Sequence, residues 1–246
     1  MNRSLRLSVA LAAVIWRLSL NDARATDGDY VILLHGAGRT PLSMRPMESY
    51  LRTNGYRVIN ARFPSAGLSI EQIADTYFPK LVGTLDSGVK IHFVAHSMGA
   101  IILRQYLVRH TVTNLGRVVM LAPPNHGSEI IDHLRANPLL RLCLGPRLLE
   151  LGTGPDALPQ RLGPANFDCG VIAGDSSANP ITGPMLHGAN DGKVTVESAR
   201  LDGAKDFLVL HHSHTWLIWK WQTFHQIAHF LRAGTFDRNT LPADSI

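Results

Sequence analysis

Short runs of consecutive apolar residues recur along the chain, each closed by glycine, proline, histidine or asparagine. The run at 29–34 (Asp-Tyr-Val-Ile-Leu-Leu) lacks the alternation of a half-exposed strand and reads as a strand covered on both faces. Runs at 56–60, 89–95, 117–122, 167–174 and 206–210 also read as strands. Helical spacing fills the intervals. Met44, Met47, Tyr50 and Leu51 predict a helix over 43–53 that Gly55 stops. Ser69-Ile70-Glu71-Gln72 is a capping-box sequence, opening a helix with Ile70, Ile73, Ala74, Tyr77, Leu81 and Leu85 on one face and a kink at Pro79. Residues 101–107, 129–136 and 139–151 read as further helices. The closing helix, over 215–232, carries Trp216, Trp219, Phe224, Ile227 and Leu231, and Gly234 stops it. Strands alternating with helices predict an α/β fold with a mainly parallel sheet of six or seven strands and helices on both faces.

The alternation lapses between about 126 and 165, a stretch rich in Leu, Arg, Pro and Gly in which no strand is evident. An insertion between two sheet strands would lie over the carboxyl edge, where open α/β sheets bind ligands. Leu139, Leu140, Leu142, Leu144, Leu148, Leu149 and Leu151 would then form an apolar lid or acyl-chain wall. A helical cap that touches no ligand is the competing reading.

Residues 1–25 have the pattern of a secretory leader: Arg3 and Arg6, an apolar segment over 7–16, and Ala23-Arg24-Ala25 as a cleavage site. The expectation is a single domain over 26–246, secreted or periplasmic. The alternative is an uncleaved membrane-associated segment, although its apolar stretch is well short of the ~20 residues a spanning helix needs. The leader holds four Arg and one Asp, so the formal charge of +5 falls to +2 without it, and no nucleic-acid role is implied. A hydrophobic content of 45% with 17% charged residues fits a folded globular chain. Cys143 and Cys169 are the only cysteines, either one disulfide or two buried thiols, and C-x-x-C spacing is absent. His225 and His229 stand at i, i+4 but no third ligand accompanies them, so neither a metal nor a cofactor is expected.

Chemistry concentrates at the ends of the predicted strands. The run at 89–95 passes through Ala95-His96-Ser97-Met98-Gly99 straight into a helix, the nucleophile-elbow pattern with Ala in the first small-residue position. Such a turn lifts the serine hydroxyl clear of the sheet and aims the N–H of Met98 at a developing oxyanion. The plainer alternative is an ordinary strand–turn–helix capped by Ser97. After the first strand, His35-Gly36-Ala37-Gly38 leaves backbone N–H groups free to point outward, with that of Ala37 as the second oxyanion donor. Asn190-Asp191-Gly192-Lys193-Val194 exposes a carboxylate in a turn, and Ser213-His214-Thr215 follows the last strand.

With Ser97, Asp191 and His214 in that chain order, the sequence resembles the α/β-hydrolases of the bacterial lipase/esterase type. The resemblance implies Ser97 as nucleophile, His214 as base and Asp191 as the acid that orients it. It also implies the oxyanion donors Ala37 and Met98 and a small-molecule or lipid ester substrate. Asp175 rivals Asp191, and His211 and His212 rival His214; His126 reads as a loop or pocket residue. An acyltransferase or amidase could use the same groups, and a non-enzymatic binding protein of this fold is the third alternative. Trp216, Trp219 and Trp221 read as core-packing residues, with transient contact to a lipid surface as their other use. The oligomeric state is not legible.

Overall fold

The computed structural model describes residues 28–63, 68–136, 146–177 and 180–241. The described strands are β1 (Tyr30–Leu34), β2 (Arg57–Asn60), β3 (Ile91–His96), β4 (Leu115–Leu121), β5 (Cys169–Gly174) and β6 (Asp206–Leu210). They pair in parallel throughout, in the order β2-β1-β3-β4-β5-β6. The chain steps from β1 outward to β2, then crosses back to lay β3 on the other side of β1. The direction of winding therefore reverses between β1 and β3, and the loops after these two strands part to leave a crevice at their carboxyl ends.

Successive residues of a strand face opposite sides of the sheet, and both sides are covered. Ile32, Phe93, Met120 and Val171 pack on one side with Ile70, Ile73, Phe78, Ile101 and Tyr106. These come from α2 (Ile70–Thr76), α3 (Phe78–Val82) and α4 (Met98–Arg109). On the other side Val31, Leu33, Val94, Val119 and Ile172 meet Met47 and Leu51 of α1 (Arg45–Thr53) and, near the carboxyl terminus, Phe224, Ile227, Phe230 and Leu231. This double cover explains the uninterrupted apolar runs. Each such side chain stabilises the fold by about 1.5–3 kcal/mol through burial.

The capping box at the start of α2 is formed reciprocally, Gln72 N donating to Ser69 Oγ at 3.1 Å and Ser69 N to Gln72 Oε1 at 2.9 Å. The kink expected at Pro79 is a break at Tyr77, with Pro79 in the first turn of α3, where its missing N–H costs nothing. Between β4 and β5 the described chain holds only helices: α5 (Glu129–Ala136), α6 (Pro146–Leu149) and α7 (Leu158–Arg161). Of the helix expected over 139–151, the portion 139–145 lies outside the described residues, as do Cys143 and the leader at 1–25. Cys169 is buried, and burial pushes its thiol up to about 12. No helix among the described residues is long and apolar enough to cross a membrane.

After α8 (Val196–Ala199) and β6, the closing helix departs from expectation. It runs over Trp221–Ala233 (α9), preceded by a separate 3-10 turn at Trp216–Ile218 and an extended Lys220 with φ −94° and ψ 132°. The break turns Leu217 and Ile218 inward, fully buried, and the tryptophans outward. Trp216 and Trp219 are each 49% exposed and Trp221 68%, so core packing is the wrong reading for all three. Gly234 ends α9 in the left-handed conformation, φ 83°, its N–H donating to Phe230 O.

Candidate active site

Ser97 stands between β3 and α4 with φ 55° and ψ −126°, a strained backbone that costs about 1–3 kcal/mol and persists only where the surroundings enforce it. Its N–H donates to Leu121 O of β4 at 2.8 Å, tying the turn to the sheet, and its carbonyl accepts from Ala100 N at 2.9 Å. The last glycine of the motif is required by close approach. A Cβ on Gly99 would lie 2.7 Å from His35 O and 2.9 Å from Leu34 O, backbone atoms at the end of β1. At the other small position Ala95 is completely buried, and the packing accepts its methyl.

The long loop after β5 supplies Asp191. Its Oδ1 accepts from the N–H groups of Lys193 (2.9 Å) and Val194 (2.8 Å), while Gly192 makes the turn with φ 92°. Oδ2 is thereby aimed at His214 Nδ1, 2.7 Å away. The backbone reinforces the pairing, His214 N donating to Asp191 O at 2.9 Å. On the far side of the ring, His214 Nε2 is 3.0 Å from Ser97 Oγ. A carboxylate only accepts, so Nδ1 carries the ring proton and Nε2 presents its lone pair to the serine hydroxyl. Asp191 and His214 are 2% and 4% exposed, which keeps competing water off the bond between them, while the bond to Ser97 is part-buried.

The rival residues are engaged elsewhere. Asp175 pairs with the exposed His211 at 3.0 Å, His212 Nε2 bonds Gln222 Oε1, and His126 is exposed in its loop. His225 pairs with Asp237, His229 donates to Thr235 O, and no cluster among the described residues could hold a metal.

A cavity of about 360 Å³ opens on Ser97 and His214. Ala37 and Met98 line it, as do Ile130, Ile131 and Leu134 from α5 and its surroundings, and Leu148 and Leu151 from the same stretch between β4 and β5.

Sequence reasoning assigned no part to His96, yet it is buried against the site. Its Nε2–H donates to His214 O at 3.1 Å, and the two rings lie 4.7 Å apart. Its Nδ1 has no partner among the described residues. Nothing in the elbow motif signals this, because the contact joins segments distant in the chain. Burial holds His96 well below the usual histidine range, with the neighbouring His214 acting in the same direction. Burial also lowers His35, which stacks on Phe63 at 4.2 Å, and His92.

All three histidines are thus neutral in the fold and more easily protonated once it opens. Stability is full above the unfolded value of about 6.5 and declines as pH falls below it, each group steepening the loss by at most about 1.4 kcal/mol per pH unit. Denaturant titrations between pH 7 and 4 check this: His96→Gln is expected to flatten the decline, and an unchanged slope would show that His96 does not contribute.

The chain belongs to the alpha/beta hydrolase family, whose model matches residues 31–219. Among solved structures it is similar to the mature lipase BlEst2 of Bacillus licheniformis, with 20% identity, TM-score 0.70, and coverage of 85% of this chain and 94% of that one. Phospholipase PlaB of Legionella pneumophila is 17% identical with TM-score 0.65, over 86% of this chain and 60% of that one. The esterase EaEST of Exiguobacterium antarcticum is 15% identical with TM-score 0.56, over 84% and 93%. At these identities the likeness establishes the fold. No curated protein matches the chain.

Proposed function

We propose that the protein is a serine hydrolase of carboxylic esters, acting through an acyl-enzyme on Ser97. The observation that carries this reading is the continuous hydrogen-bonded path from Asp191 through His214 to Ser97 Oγ at a strained elbow. As Ser97 Oγ bonds to the ester carbonyl carbon, its proton passes to His214 Nε2, and Asp191 stabilises the imidazolium. The carbonyl oxygen becomes an oxyanion held by the N–H groups of Ala37 and Met98, each worth about 3 kcal/mol in the transition state. Collapse expels the alcohol, which takes the proton from His214. Water, activated by the same base, then releases the acid and restores the serine. The apolar cavity wall would take the acyl chain, giving the described parts of the stretch at 126–165 the role of an acyl-binding wall.

Wild-type protein is expected to turn over nitrophenyl esters and to be labelled on Ser97 by a fluorophosphonate. Absence of both would reject the enzyme reading in favour of a binding protein.

Exposed Trp216 and Trp219, edge to face at 6.1 Å, with Lys220 Nζ 5.1 Å from the Trp216 ring, support contact with a lipid surface. The variant carrying Trp216→Ser and Trp219→Ser is expected to lose about ten-fold in turnover of emulsified esters. Dissolved short-chain esters should be spared, since about 1.4 kcal/mol of surface affinity is all that is removed. Equal losses on both substrates would place the tryptophans in folding or catalysis instead.

A further inference from the structure

The cavity that opens on Ser97 is apolar along one stretch of its lining but carries two cations, Arg39 and Lys193. No Asp or Glu side chain lines it among the described residues, and neither cation has a carboxylate within 4 Å there. Asp191 is near in sequence to Lys193, yet its oxygens are taken by the Lys193 and Val194 N–H groups and by His214. Both cations are held from behind. Arg39 donates through Nη2 to Thr215 Oγ1 at 2.7 Å, beside His214, and that bond uses one of the five N–H donors of a guanidinium. Lys193 has its backbone pinned on both sides, N–H to Asp191 Oδ1 at 2.9 Å and carbonyl accepting Ser128 Oγ at 2.9 Å.

We propose that Arg39 and Lys193 form a subsite for an anionic group, carboxylate or phosphate, on an amphipathic substrate whose apolar chain lies along Ile130, Ile131, Leu134, Leu148 and Leu151. This deepens the serine-esterase reading and rests on it for the position of the scissile bond. Two like charges line one cavity that has no carboxylate in its described lining, the buried Asp191 offsetting Lys193 only in part, and an anion between them would remove the remaining repulsion. The mutual effect is visible in Lys193, whose ammonium is lowered from its ordinary value by desolvation and then by the charge of Arg39, with Asp191 acting the other way. A carboxylate or phosphate would gain charge-assisted hydrogen bonds from both, whereas a neutral ester would leave the cations as they are.

Calorimetric titration of the wild-type protein with octyl phosphate, nonanoate and octanol tests this without any turnover. At least one of the two anions is expected to bind about ten-fold or more tightly than octanol, with the advantage shrinking as salt is raised. Tighter binding of octyl phosphate alone would assign a phosphate-bearing substrate, and of nonanoate alone a carboxylate-bearing one; either supports the subsite. In the double variant Arg39→Gln, Lys193→Met that advantage should fall by about five-fold or more. If the double variant does not fold, Lys193→Met alone decides, since the hydrogen bonds that hold this residue run through its backbone. No preference for either anion, or a preference that survives the substitutions, would overturn the proposal. Loss of ester turnover by the wild type would instead sink the esterase reading, and the titrations would still report on the cations.

Discussion

Ser97→Ala is expected to lower kcat for nitrophenyl esters by about 10⁴–10⁶-fold, the range in which removing the nucleophile of such a hydrogen-bonded set falls. The change deletes only the Oγ that sits 3.0 Å from His214 Nε2. The backbone at this position is held by Leu121 O and Ala100 N rather than by the side chain, so the elbow keeps its shape. Melting temperature should therefore stay within a few degrees of wild type, and substrate affinity should change little. Residual rate above that of buffer is expected from the oxyanion donors and from binding alone. A variant that retains full turnover would exclude Ser97 as the nucleophile, whatever the fate of the fold.

Asp191→Asn is the second large effect, with kcat falling by about 10⁴-fold. The substitution preserves volume and leaves one amide oxygen to accept the Lys193 and Val194 N–H groups, so the turn is expected to persist. The other oxygen becomes an NH₂ group facing His214 Nδ1, where the carboxylate now accepts at 2.7 Å. A donor there forces Nδ1 to accept and shifts the proton to Nε2, directed at the serine, so the ring can no longer act as a base. The loss should appear in kcat with an intact near-ultraviolet spectrum. A fall of less than about ten-fold would mean that another group orients the imidazole.

The strands were legible because a parallel sheet covered on both faces demands apolar residues at every position. Of the six described strands only β2 has an exposed residue, and β3 and β5 are buried at every position. The pairing of Asp191 with His214 was legible through chain order and turn chemistry. The engagement of His211 with Asp175 was not, because both rivals carry the same residue types at strand ends. The start of α9 was misread from apolar spacing. Trp216, Trp219 and Trp221 are apolar on any scale, but an extended Lys220 rotates them away from the core. The meeting of Arg39 with Thr215 and Lys193 depends on how loops after β1, β5 and β6 converge, and no local pattern encodes that convergence.

Ser97, Asp191 and His214 sit on turns and loops anchored by the sheet, whereas the apolar side of the cavity comes largely from the single stretch between β4 and β5. Two jobs are thereby assigned to separate stretches of polypeptide. None of Ile130, Leu134 and Leu148 takes part in the hydrogen bonds that join Ser97, Asp191 and His214, so exchanging them for larger or smaller residues is expected to reshape the cavity first. The range of molecules admitted is then free to drift over generations while the bond-breaking step stays the same, and chimaeras that swap this stretch are the natural place to watch it happen.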